Sequence, residues 1–129
     1  MKESFEITEI FESPPAVIYR AWLDSEEHSK MVKGEANCSD KVGDSFSIWD
    51  GYITGTNIEL IKNKEIVQSW RTTEFADKDD DSLLTISLEQ VENGTKLILA
   101  HTNIPEGQTQ YEQGWKDHYF APMSEYFRS

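Results

Sequence analysis

The side chains of this sequence that could carry out chemistry are few and scattered. His101 follows Leu97 and Leu99 at period two, so it shares their face of a strand. If that face lines a pocket, His101 is its natural titrating group, although a hydrogen-bonded core histidine is the commoner role. Asp50 would act as a general acid or base only if turned into the same pocket. The adjoining Gly51, and Gly55 beyond it, read instead as bends in a curved sheet. His28 and His118 fall in acidic, polar stretches and read as solvated, and no histidine pair has the i, i+4 spacing of a metal-binding helix. Asp117 and His118 are neighbours that diverge on a helix surface. Cys38 stands among Glu35, Asn37, Ser39 and Asp40, whose charges oppose thiolate formation, so it is discounted as a nucleophile. Asp77, Asp79 and Asp81 alternate like the first ligands of a calcium loop. Ser82 then stands where glycine is required and Leu88 where glutamate is, which leaves a solvated loop and no metal site. Nucleophile elbows, phosphate loops and dinucleotide fingerprints are absent, so neither catalytic residues nor cofactors are assigned.

The aromatic residues point to binding rather than catalysis. Trp22, Trp49, Trp70 and Trp115 each sit in an apolar pattern, which suits either core packing or a ring-lined pocket for an apolar ligand. Trp70 and Trp115 are the favoured pair, because a central strand and a covering helix should face each other. Phe46, Ile48, Leu97, Leu99 and His101 complete the candidate cavity from the strands, and Tyr119 and Met123 complete it from the helix.

The elements that must position these residues follow from periodicity. Residues 4–12 alternate as a half-buried strand. Ser13-Pro14-Pro15 reads as a helix start with Ser13 as N-cap, and Val17, Ile18, Ala21 and Trp22 supply one apolar face. Asp24 with Glu27 three residues on marks a second short helix, to about Val32. From Lys41 to Thr102 the period changes to strands: Phe46 to Trp49, residues 52–62, residues 65–75, Leu83 to Val91, and Thr95 to Thr102. Asn93-Gly94 is a strong hairpin signal, and the succession of hairpins predicts an antiparallel meander. After Ile104-Pro105 a helix is predicted from about Gln108, with Trp115, Tyr119, Met123, Tyr126 and Phe127 forming its stripe. Its Gly114–Phe127 portion would be about 20 Å long, enough to cross a sheet. Pro122 removes the donor for the His118 carbonyl, so a kink is expected there.

The predicted architecture is therefore an α+β helix-grip: a curved antiparallel sheet around a long C-terminal helix, with two short helices after the first strand. The 129 residues make one domain, 1–129, large enough for a core without staples. A single cysteine permits no internal disulfide. The N-terminus lacks a signal-peptide pattern and no stretch approaches the ~20 apolar residues of a membrane span, so a cytoplasmic location is expected. The two glycosylation sequons, at Asn37 and Asn93, then carry no meaning. With 24 acidic against 12 basic residues, the net charge of −12 disfavours nucleic acid and anionic membrane. It suits solubility, or steering toward a basic patch on another protein.

Several segments in order resemble one known family. They are Ser13-Pro14-Pro15 with Val17 through Asp24, Val42 through Gly51, Gly55, Ile66 through Arg71, Gly94 through Leu97, Ile104-Pro105 and Gly114-Trp115. Together they resemble the C-terminal domain of the activator of heat-shock-protein-90 ATPase homologue family, in the START-like (SRPBCC) superfamily of birch-pollen-allergen-type proteins and polyketide cyclases. The resemblance implies the same helix-grip fold that periodicity gives. Eukaryotic members look two-domained, with much of the chaperone contact on an N-terminal domain that has no counterpart in this sequence. The fold alone does not fix an activity. The leading expectation is a non-enzymatic module binding a small hydrophobic or amphipathic ligand between sheet and helix. The alternative is a co-chaperone that binds and modulates a heat-shock protein 90 type ATPase, and a weaker one is a cyclase- or hydrolase-type enzyme using His101 or Asp50.

Overall fold

A computed structural model of the chain describes residues 1–128. Seven strands form one antiparallel sheet in the order β1-β7-β6-β5-β4-β3-β2. Strand β1 is Glu3–Phe11; β2, Ala36–Asn37; β3, Ser45–Ile48; β4, Ile53–Ile61; β5, Glu65–Thr72; β6, Ser82–Val91; and β7, Gly94–Ile104. From β3 to β7 each strand pairs with the next, the expected meander, and β1 adds to the far side of β7 in register from Phe5↔His101 to Phe11↔Thr95. Helices α1 (Pro15–Leu23) and α2 (Ser25–Val32) follow β1. The C-terminal helix is composite: α3 (Tyr111–Trp115), a π-helical turn (Lys116–Phe120) and α4 (Ala121–Arg128).

Alternation places the core. Ile66, Gln68, Trp70 and Thr72 of β5, Ser82, Leu84, Ile86 and Leu88 of β6, and Thr95, Leu97, Leu99 and His101 of β7 are all buried. They form the concave face. Trp115, Tyr119, Met123 and Phe127 of the C-terminal helix are buried as well, at the helical spacing read from the sequence. One continuous core thus fills the space between sheet and helices.

Local sequence rules account for most boundaries, with instructive exceptions. Asp24 caps α2, its Oδ2 accepting the Glu27 N–H at 2.9 Å. Ser13, expected as the cap of α1, is not: Pro14 occupies that position without a side-chain cap bond. The Ser13 hydroxyl donates instead to the Phe127 carbonyl at 3.2 Å, while its own carbonyl accepts from Thr95 at 2.6 Å. A tertiary tie to the last helix and β7 has displaced the local cap. Strand β3 stops at Ile48 rather than including Trp49, because Trp49, Asp50 and Gly51 run through φ of 53, 55 and 88°. That left-handed run cannot continue a strand. Strand β5 ends at Thr72 rather than residue 75, and the two-residue edge strand β2 was too short for any period to register.

Two glycines act by close approach. Val91 pairs directly with Gly94, so the β6–β7 turn is Glu92-Asn93, with Asn93 at φ 68°. Gly94 is already in the strand, where a Cβ would lie 2.1 Å from the Phe11 carbonyl oxygen. At Gly55 a Cβ would lie 1.9 Å from the Ser69 carbonyl oxygen, where β4 bends past β5. The disruption expected at Pro122 takes the form of the π-helical turn just before it, in which the Ala121 N–H reaches back to the Lys116 carbonyl.

Candidate functional site

The hydrogen bonds of the core identify how the C-terminal helix is held. His101 on β7 is fully buried. The Trp115 indole N–H donates to its Nδ1 at 3.1 Å, which leaves Nε2 protonated and donating to the Ser82 hydroxyl at 2.8 Å. Ser82 in turn donates to the Trp70 carbonyl at 2.6 Å. Burial lowers the His101 pKa to about 3, so the ring is neutral at physiological pH. Both ring nitrogens are engaged, and in this arrangement His101 has neither a proton nor a lone pair to offer a substrate.

A second histidine does the same one helical turn further on. His28 of α2, read from the sequence as solvated, is 2% exposed. Its Nδ1–H donates to the Trp22 carbonyl, and the Tyr119 hydroxyl donates to its Nε2, both at 2.7 Å. Burial lowers its pKa to about 4. The error has a physical cause: α2 has polar residues on all sides in sequence, and only its packing against α1 and the C-terminal helix decides that the His28 face turns inward. A polar chain continues behind it, from the Trp22 N–H to Gln68 and from the Gln68 amide to Asn57, at 3.3 and 2.8 Å. No buried side-chain polar atom among the described residues lacks a partner.

Between these ties and solvent the helix does not seal the sheet. A cleft of about 310 Å³ lies beneath the first turns of the C-terminal helix, between it, β4–β5 and the Trp49–Tyr52 turn. Six aromatic rings line it: Trp49, Tyr52, Trp70, Tyr111, Trp115 and Tyr119. Trp70 and Trp115 face each other with centroids 5.6 Å apart, and Trp115 lies 4.7 Å from Tyr119. Gly114 leaves the helix bare over the opening, since a Cβ there would meet nothing within 4 Å. Gln110, Gln113, Asp117 and His118 stand exposed at the rim. Tyr52 donates its hydroxyl to Glu74, and burial first, then that carboxylate, raises its pKa to about 12. Three of the four tryptophan N–H groups are bonded internally, to Gln68, to the Val32 carbonyl and to His101. That of Trp70 has no partner among the described residues.

Of the residues expected to line a cavity, Trp70, Trp115 and Tyr119 do line this cleft. Phe46 and Ile48 border a separate void of about 10 Å³ behind Trp70, shared with His28 and Tyr119. Leu97, Leu99, His101 and Met123 are 0% exposed and lie in the packed core, outside both spaces. Strand alternation and helical spacing turn all nine toward the interior between sheet and helix, but they cannot tell packed from open there. Sequence reading missed Tyr52, Tyr111 and Gly114. Only the tryptophan pattern and the Gly114-Trp115 pair hinted at this end of the helix.

The remaining candidates are structural. Asp50 is exposed on its left-handed turn. Cys38 is half-buried, and its thiol pKa is pushed up to about 12 by burial first and then by Asp24, a different charge from those nearest in sequence. Asp79 caps its own loop by accepting the Ala76 N–H at 2.8 Å, and Asp81 pairs with Arg71 at 2.7 Å. No group of metal-binding side chains occurs among the described residues, nor is any helix among them long and apolar enough to cross a membrane.

Comparison with known proteins gives a consistent result. The human activator of 90 kDa heat shock protein ATPase homolog 1 is 27% identical over 124 residues, which cover 94% of this chain and 36% of the human protein. A Dictyostelium discoideum activator homolog is 25% identical over 116 residues, 88% of this chain and 30% of that protein. The chain thus spans about a third of the length of the curated relatives it matches. Among solved structures, an HSP90 activator from Plasmodium falciparum is 32% identical with a TM-score of 0.87, over 95% of this chain and 94% of that one. The Aha1 dimer from Colwellia psychrerythraea, at 17% identity and a TM-score of 0.80 over 97 and 96% of the two chains, shares the fold. The family profile described as activator of Hsp90 ATPase homolog 1-like protein matches residues 12–128, and the chain belongs to that family.

Proposed function

We propose that the protein binds an ATP-driven chaperone of the heat-shock protein 90 type and modulates its ATPase cycle. The observation that carries this reading is the 32% identity to the Plasmodium falciparum HSP90 activator over nearly the full length of both chains. The net charge of −12 supports it too, by steering the protein toward a basic patch on its partner. The test is the ATPase rate of a purified heat-shock protein 90 titrated with the protein at low and physiological salt. A saturable change in rate that weakens with salt is expected. No binding and no change in rate at low salt would end the proposal.

A second reading rests on the open cleft. Its volume of about 310 Å³ sits at the lower end of small-molecule sites, and its aromatic lining with a few polar rim groups is the usual make-up of one. Native mass spectrometry of gently purified protein should then show a co-purifying small molecule, lost on Gly114→Leu. The enzyme alternative gains nothing from His101 or Asp50, the first closed within the core and the second out on a turn.

A further inference from the structure

The cleft has a chemical bias beyond being apolar. Six rings surround it and no lysine or arginine lines it. Asp117 stands at its mouth, one oxygen steadied by the Gln113 amide at 3.0 Å. On the opposite wall, the Tyr52 hydroxyl donates a hydrogen bond to Glu74, which enriches the electron density of a ring that lines the cleft. His118 is the one basic side chain at the rim, and its ring meets Trp49 edge-on at 6.4 Å. Electron-rich faces inside, a carboxylate at the mouth and a surface charge of −12 all favour a cation over a neutral or anionic guest. Lysine or free ammonium is too strongly hydrated to shed water for rings alone, whereas an alkylated ammonium spreads its charge over methyl groups.

We infer that this cleft is a site for a small organic cation of the quaternary ammonium class, the methyl groups resting on Trp70, Trp115 and Tyr52 and the charge facing Asp117. The inference rests on the cleft being a small-molecule site and is independent of chaperone binding. The decisive comparison is choline against 3,3-dimethyl-1-butanol, its uncharged isostere. Both are titrated by calorimetry and tryptophan fluorescence at matched ionic strength and pH. Choline should bind at least about tenfold more tightly than the isostere. Asp117→Asn should weaken choline severalfold and leave the isostere unchanged. Gly114→Leu, at a position with free space above it, should abolish binding of both while circular dichroism and Tm stay at or above the parent values. Equal affinity for the two compounds overturns the cation assignment while leaving the small-molecule site standing. Binding of neither compound overturns both, and choline binding that survives Gly114→Leu places the cation elsewhere and overturns the proposal as well.

Discussion

The two histidine ties to the C-terminal helix are alike in burial and unlike in chemistry. His101 faces the Trp115 N–H, which can only donate. A proton added to His101 would set two donors against each other, with no rotation available to relieve them. His28 faces the Tyr119 hydroxyl, which both donates and accepts. Protonated, it could keep that contact with the hydroxyl reversed. The surroundings differ too: the His28 end borders a small void of about 10 Å³, whereas Trp70, Trp115 and Tyr111, which pack around His101 with Phe5, also wall the open cleft. A rigid tie and an adaptable one therefore hold the same helix one turn apart.

The largest effect should come from breaking the rigid tie outright. Trp115→Ala removes a ring that touches Trp22, Trp70, His101 and Tyr119, and should cost about 3–5 kcal/mol in urea unfolding. A loss under about 1 kcal/mol would mean the helix is held elsewhere. Next in size is acid sensitivity. Both histidines have folded-state pKa values below the ordinary one, about 4 for His28 and about 3 for His101. As pH falls below about 6.5 the unfolded chain takes up protons first, so their stabilisation is full above that pH and drains below it. The drain stops only when each folded-state pKa is passed. Each histidine should add about 1.4 kcal/mol per pH unit to the acid slope. His101→Gln and His28→Gln should each remove that increment, and the relief of the −12 charge is common to parent and variant. An unchanged slope in either variant would show that its histidine is not buried neutral.

Subtler substitutions sharpen the contrast between the ends. Trp115→Phe leaves the fully buried His101 Nδ1 without its donor and should cost about 2–3 kcal/mol. Tyr119→Phe leaves His28 Nε2 beside a void that admits water, so about 1 kcal/mol is expected. Equal costs in chemical denaturation would refute the distinction. Smallest, and opposite in sign, is Gly114→Ala, which relieves a helical glycine with nothing near its added methyl. It should raise stability by about 0.5–1 kcal/mol, read as a higher Tm. A lower Tm would show that the helix over the cleft needs the glycine for more than space.

How much of this was legible beforehand differs by element. The long strands and the helix stripe were, because each repeats its apolar period several times: Leu97, Leu99 and His101 on β7, and Trp115, Tyr119 and Met123 on the helix. The cap at Asp24 was legible because the capping carboxylate and the N–H that donates to it lie three residues apart. Ser13, His28 and Trp49 were misread for the opposite reason. Their partners Phe127, Tyr119 and the Val32 carbonyl stand 114, 91 and 17 residues away, and local propensity yields to such contacts. Of the site, the Trp70–Trp115 facing was foreseeable from strand and helix phase, but the contributions of Tyr52, Tyr111 and Gly114 were not.

The order of apolar and polar residues determined the meander, the face each strand buries and the helix that covers it, since these are short-range periodicities under one hydrophobic demand. Whether that cover closes was left to the tertiary structure. Pairing period with face says which side chains point inward, but the space between them depends on how far a π-helical turn swings the helix and how a left-handed turn carries Trp49. Both are sums over the whole chain. The same sums chose which histidines would stay neutral, because desolvation is set by everything that surrounds a ring and by nothing adjacent to it in sequence.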